Sequence, residues 1–293
     1  MSELRTRILV RTDVDWSRMD RRTFLAQRDP TRPVAFVSAP PLDLWDEVYG
    51  ADFFDYRAQL QEVAYGSFRR AGADELSIGM ADLDEWWDDP TEELVVPIDD
   101  DDLLVGPLDG LARALTDDVD VLLWPRAAIV VEEDGSMGWR RPEMPCMFAT
   151  NCALRKSFLR RHFDRDALLR VLADHRAAND AVGDVLGIDP ADLVLPGFRR
   201  LRHPRVGFLA QGWSLKNGHV GSIQLLQQTL RRPDPAGYLR GLGLEVQRPL
   251  PAWAEPFAPE IEALASVWSA LRASMRQTAE LADPEGRTCD QPS

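Results

Sequence analysis

Cysteine is scarce in this chain: Cys146, Cys152 and Cys289 are the only three in 293 residues, and no two form a C-x-x-C pair. An odd number without repeated spacing argues against a disulfide framework and a structural zinc site, and predicts a reducing, cytoplasmic location. Lysine is scarcer still, since Lys156 and Lys216 are the only lysines among 34 basic residues. Those 34 stand against 48 acidic residues, for a formal net charge of -14. A surface so acidic repels a phosphate backbone and predicts no general nucleic-acid binding. No stretch reaches the roughly 18 apolar residues that span a bilayer, and Met1 to Arg7 lacks the apolar core of a signal peptide. Neither G-x-x-x-x-G-K-S/T nor G-x-G-x-x-G occurs, so ATP and NAD enzymes find no local support. Internal repeats and low-complexity segments are absent as well.

What is present is an ordinary globular composition, 45% hydrophobic and 8% aromatic, enough to bury a sizeable core. Short β-rich runs alternate with helical ones, the signature of an α/β domain. Strands are predicted at Arg7 to Val10, Val34 to Val37, Leu94 to Ile98, Val119 to Trp124 and Ala127 to Glu132. The last two are separated by Pro125-Arg126 and followed by the turn Glu133 to Ser136, which reads as a β-hairpin with a polar tip. Helices are predicted at Trp16 to Gln27, Asp55 to Ala71, Pro107 to Leu115, Arg155 to Leu172, Ala181 to Leu186, Ser222 to Leu230 and Glu260 to Leu281. In the second of these, Leu60, Val63, Ala64, Phe68 and Ala71 fall three and four apart, an apolar stripe for packing. In the final helix Ile261, Leu264, Trp268, Leu271 and Met275 do the same, so it should dock on the body or on a partner chain. The aromatic pairs Phe53-Phe54 and Trp86-Trp87 have two readings, platforms for sugar rings or core, and most aromatics at such positions are core. The organisation expected is a main domain over 1–232, a Pro/Gly-rich linker and C-terminal helix over 233–283, and a disordered tail over 284–293.

The feature with most chemical content is Asp99-Asp100-Asp101-Asp102, set between Leu94-Val-Val-Pro-Ile98 and Leu103-Leu104. Four like charges in a row repel one another, and at the end of a buried strand a cation is the natural way to neutralise them. The carboxyl end of a strand is also where open α/β sheets bind ligands. The ordinary alternative is a solvated acidic turn.

A strand ending in this run, with its two overlapping D-x-D registers, resembles the D-x-D motif of GT-A-fold glycosyltransferases, nearest in layout to bacterial rhamnosyltransferases. Two later segments add to the resemblance, Phe148-Ala-Thr-Asn-Cys-Ala-Leu-Arg-Lys-Ser157 and Trp213-Ser-Leu-Lys-Asn-Gly-His-Val-Gly-Ser222. Those enzymes usually carry a Thr-Arg-Phe-Asn-like segment after the first strand, where this chain has Val10-Arg-Thr-Asp-Val-Asp15. The resemblance implies a GT-A-like (Rossmann-like) mixed sheet flanked by helices, with a helical C-terminal extension. It implies a nucleotide-sugar donor, its sugar and nucleotide open, and Mn²⁺ or Mg²⁺ to stabilise the leaving diphosphate. Asp100, Asp102 and His219 would hold the metal. Thr12, Asp13, Asp99, Asp101, Thr150, Asn151, Arg155, Lys156 and Lys216 would contact the donor. Glu132, Asp180 and Asp184 stay open as general-base candidates. The acceptor, whether saccharide, natural product or lipid-linked, and retention or inversion stay open too. Two other readings keep the same aspartates: a metal-dependent phosphohydrolase, against which the four histidines weigh, and a non-catalytic binding or assembly protein.

Overall fold

The computed structural model describes residues 4–12, 14–27, 52–73, 79, 81–124, 128–131, 137–140, 151–173, 175–189, 202–209 and 213–217, with isolated positions from 255 to 270. The strand expected at Val34, the helix at Ser222 and the proposed division at 232 lie outside the described residues or are not resolved by them.

The main sheet has the order β1-β2-β7-β4-β8. β1 (Arg5–Val10) runs parallel to β2 (Glu93–Ile98), in register from Arg5 opposite Glu93 to Val10 opposite Ile98. β7 (Cys152–Arg155) is antiparallel to β2 on one side and to β4 (Val121–Leu123) on the other. β8 (Val206–Phe208) returns parallel to β4. Every residue of β2 is buried, because helices cover both faces of a continuous apolar strand. Alternation along β1 and β2 divides the core in two. Leu9 and Val95 face a cluster with Phe158, Leu168 and Val182 from α5 (Lys156–His162), α6 (Arg165–Ala173) and α7 (His175–Leu186). Ile8, Val10, Leu94 and Val96 face α2 (Phe53–Arg70) and α4 (Leu108–Ala114), with Ala64, Phe68 and Leu111 buried there.

A smaller sheet, β3-β9-β5-β6, starts where the acidic run ends. β3 (Leu103–Leu104) is antiparallel to β9 (Ser214–Asn217), β9 is parallel to β5 (Ala128–Val131), and β5 is antiparallel to β6 (Met137–Arg140). Two shorter helices, α1 (Arg21–Gln27) and α3 (Leu83–Asp88), have seven and six residues. Among the described residues no helix is long and apolar enough to cross a membrane.

Several sequence expectations need correction. Trp16 to Gln27 is a 3-10 turn, Trp16–Arg18, and then α1, because Asp20 starts a new helix by accepting from the Thr23 amide at 2.6 Å. The antiparallel pair is β5 with β6, while β4 and β5 enter different sheets. The helix expected from Arg155 is β7 followed by α5 and α6, and α7 passes unbroken through Asn179 and Asp180. Phe53, Phe54 and Trp86 are core residues, the first two packed with Trp16. Ile261 is fully buried and residues 261–263 are helical, so this part of the final helix docks on the body.

Gly66 stands within α2 with a helical φ, and a Cβ built there meets no described atom within 4 Å. Gly66→Ala should therefore stabilise the fold by about 0.5–1 kcal/mol through helix propensity alone. Thermal denaturation of the two proteins checks this, and a lower midpoint for the alanine variant would contradict it.

Candidate metal centre and adjoining cleft

The carboxyl ends of the parallel strands β1 and β2 place Arg11 and Thr12 beside Asp99. The Arg11 amide donates to the Ile98 carbonyl at 3.0 Å, extending the ladder by one residue. The Arg11 side chain then pairs with Asp99 through Nη2 and Oδ1. The chain turns at once: the Asp102 amide donates to the Asp99 carbonyl at 3.3 Å before β3 begins. This tight turn gathers the side chains of Asp99, Asp101 and Asp102, whose nearest ligand oxygens all lie within 4.8 Å of one another.

Asp100 points away from that group, into α2 and the 3-10 turn. Its Oδ2 accepts from Trp16 Nε1 at 2.7 Å and from Gln61 Nε2 at 3.3 Å, and its Oδ1 pairs with Arg57 Nη2 at 2.6 Å. The structure thus brings together Asp99, Asp101 and Asp102, and turns the expected ligand Asp100 toward a protein-filled side. Arg57 also reaches Asp101 Oδ2 at 3.0 Å and lies over the Trp16 ring, 5.1 Å from its centroid. Burial opposes the Arg57 charge, but Asp100 and Asp101 outweigh it and raise its pKa. Asp101 carries the opposite consequence. Its burial, against the pull of Arg57 and with the repulsion of Asp102, Asp100 and Asp99, pushes its carboxyl up to about 7.

Arg57 and Gln61 are partners of the acidic run that the sequence reading missed. Their signal is there: both lie on the face of α2 that carries Leu60, Ala64 and Phe68, and polar groups on a buried face need buried partners.

The remaining expected residues divide by position. Leu103 and Leu104 pair with Leu215 and Ser214, so the backbone of Lys216, one residue further in the same register, runs back beside Asp102. His219, Asp13, Thr150 and Glu132 lie outside the described residues. Thr12 is buried, and its Oγ1 accepts from the Val14 amide at 3.2 Å. Asn151 is fully buried ahead of β7; its Nδ2 donates to the Trp124 carbonyl at 2.9 Å, while Oδ1 has no partner among the described residues. Arg155 and Lys156 sit at the other end of the sheet. Arg155 opposes Leu94, and at roughly 3.3 Å per residue that is about 16 Å from Asp99. Arg155 Nε donates to the Val119 carbonyl at 2.8 Å. Lys156 is buried over the Trp86 ring and donates to the Trp86 and Asp89 carbonyls, so both residues fasten the fold. Asp180 and Asp184 are exposed on α7. Burial pushes the Cys152 thiol up, which leaves it an inert core group.

Beyond the end of β1 lies a cleft of about 870 Å³, bounded by Val10, Thr12 and Val14 on one side and by Gln61, Tyr65 and Phe68 of α2 on the other. Gln61 joins the two features, since it lines the cleft and donates to Asp100.

No protein-family model matches the chain, and no curated protein matches it either.

Proposed function

We propose that the protein is a metal-dependent glycosyltransferase that moves a sugar from a nucleotide-sugar donor to an acceptor. The observation that carries this reading is the convergence of Asp99, Asp101 and Asp102 at the carboxyl edge of the sheet, next to a cleft of nucleotide size. The donor set fits the group. Carboxylate oxygens suit Mg²⁺ and Mn²⁺, and at a metal–oxygen distance of roughly 2.1 Å opposite ligands stand about 4.2 Å apart. Separations of up to 4.8 Å need only a small contraction to reach that. Burial, with the repulsion of Asp102, Asp100 and Asp99, raises the Asp101 pKa despite Arg57, and a divalent cation bound at the turn would favour the ionised carboxylate. Bound there, the metal would offset charge on a leaving diphosphate. Thr12 and the cleft walls would hold the nucleoside, and β9 returns its backbone past Asp102 at Lys216.

One observation favours a second reading, a purely structural acidic turn in a binding protein: Arg57 already satisfies parts of Asp100 and Asp101. A thermal-shift series with UDP, dTDP and their sugar conjugates, each with and without Mn²⁺, separates the two. The transferase reading expects the midpoint to rise most when nucleotide and Mn²⁺ are present together, because ligands that bind only the native state stabilise it. A midpoint indifferent to Mn²⁺ leaves the structural turn.

A further inference from the structure

Gly66 is less favourable in α2 than alanine would be, and no contact among the described residues requires it. Its open side is a second cleft, of about 620 Å³, between α2 and the helical residues near the carboxyl terminus. Val63 and Gly66 form one wall, and Ala263 and Ser266 the other. Gln59, Glu62 and Arg69 line both this cleft and the 870 Å³ one, so the two meet across a single ridge of α2. Either volume alone holds a small molecule. Joined, they fit a ligand longer than one sugar ring.

Charge and shape narrow its class. Among the described residues, the larger cleft sets Asp15, Asp55, Glu62 and Asp82 against Arg69, a field that repels anions. The half-buried Tyr65 ring, backed by the buried Phe68 ring 5.6 Å away between centroids, offers an aromatic surface of the kind on which sugar rings stack. The ridge adds an amide, a carboxylate and a guanidinium, which suit hydroxyl groups.

We infer that the two clefts form one groove for an oligosaccharide acceptor that is uncharged or amine-bearing, and that Gly66 keeps the helix backbone open to its far end. This rests on the transferase reading, in which the metal and the donor's diphosphate sit at Asp99, Asp101 and Asp102, outside the lining of either cleft.

Calorimetric titration with tetramers and monomers of glucosamine, N-acetylglucosamine and galacturonic acid tests it. The first two tetramers are expected to bind at least about ten-fold more tightly than the galacturonic acid tetramer. Gly66→Trp should weaken the favoured tetramers about ten-fold and leave the monomers unchanged. Ser266→Trp, filling the groove from the opposite wall at an exposed position, should do the same even if the first variant folds poorly. The groove is overturned if no tetramer binds, if the anionic tetramer binds equally well, or if both tryptophan variants bind like the parent. The Mn²⁺ and nucleotide thermal shift on the same samples keeps the two ideas apart. Its failure with the groove results intact removes the transferase and leaves a saccharide-binding groove, and the reverse outcome removes only the groove.

Discussion

Arg57→Met is expected to lower the unfolding free energy by about 3–5 kcal/mol, because breaking a buried ion pair leaves its partner charges uncompensated. The methionine keeps much of the side-chain volume and its contact with the Trp16 ring, so the loss reports charge more than packing. Two carboxylates lose their guanidinium at once, Asp100 at 2.6 Å and Asp101 at 3.0 Å, and both are buried. Asp101 also feels the repulsion of Asp99, Asp100 and Asp102, which Arg57 now offsets. Adding Asp100→Asn and Asp101→Asn to the methionine variant should recover most of the loss, since neutral amides remove the unpaired charges. Urea denaturation of the parent, the single and the triple variant gives the comparison. A single-variant loss under about 1 kcal/mol would mean that water reaches the pair and screens it.

The parts of this site that were legible in the sequence are those a local pattern can carry. β2 was readable because an uninterrupted apolar run is what a strand covered on both faces requires, and the aspartates beyond Ile98 marked its end. α2 was readable from the spacing of Leu60, Ala64 and Phe68. What failed depended on distant partners. β7 has four residues and runs straight into α5 without a turn residue, so Cys152 to Arg155 looked like the start of a helix. The polar pair Asn179-Asp180 looked like a break, yet a solvent-facing position of a helix accepts polar residues freely, and Asp180 is exposed. Lys156 looked like a phosphate ligand because a lysine's charge is visible in sequence and its burial under Trp86 is not. Asp100 and Asp102 were indistinguishable in a run of four. Only the turn, by aiming Asp100 at Trp16 and Arg57, assigns them different tasks.

That division makes Asp102 the residue whose loss should affect function most. Asp102→Asn is expected to abolish the Mn²⁺-dependent part of the thermal stabilisation, which at a metal concentration a hundred times Kd amounts to about 2.7 kcal/mol. The metal-free variant should be at least as stable as the parent, because one of the like charges crowding Asp101 is gone. Loss of metal response joined to unchanged or higher stability distinguishes a binding site from a merely structural turn. The pH dependence follows from Asp101. Its folded-state pKa of about 7 lies above the ordinary 3.8, so the folded protein holds a proton that the unfolded chain has released between those values. Its contribution therefore lowers stability as pH rises from about 4 to about 7, and is constant above that. Mn²⁺ must displace the same proton, so below pH 7 the metal affinity should fall by up to about ten-fold per pH unit. Asp101→Asn should flatten the metal-free stability profile across that window, whether or not it still binds the ion. Calorimetric Mn²⁺ titrations from pH 5.5 to 8 with the parent and Asp102→Asn provide the measurement. Equal Mn²⁺ affinity in both proteins would remove Asp102 from the metal centre.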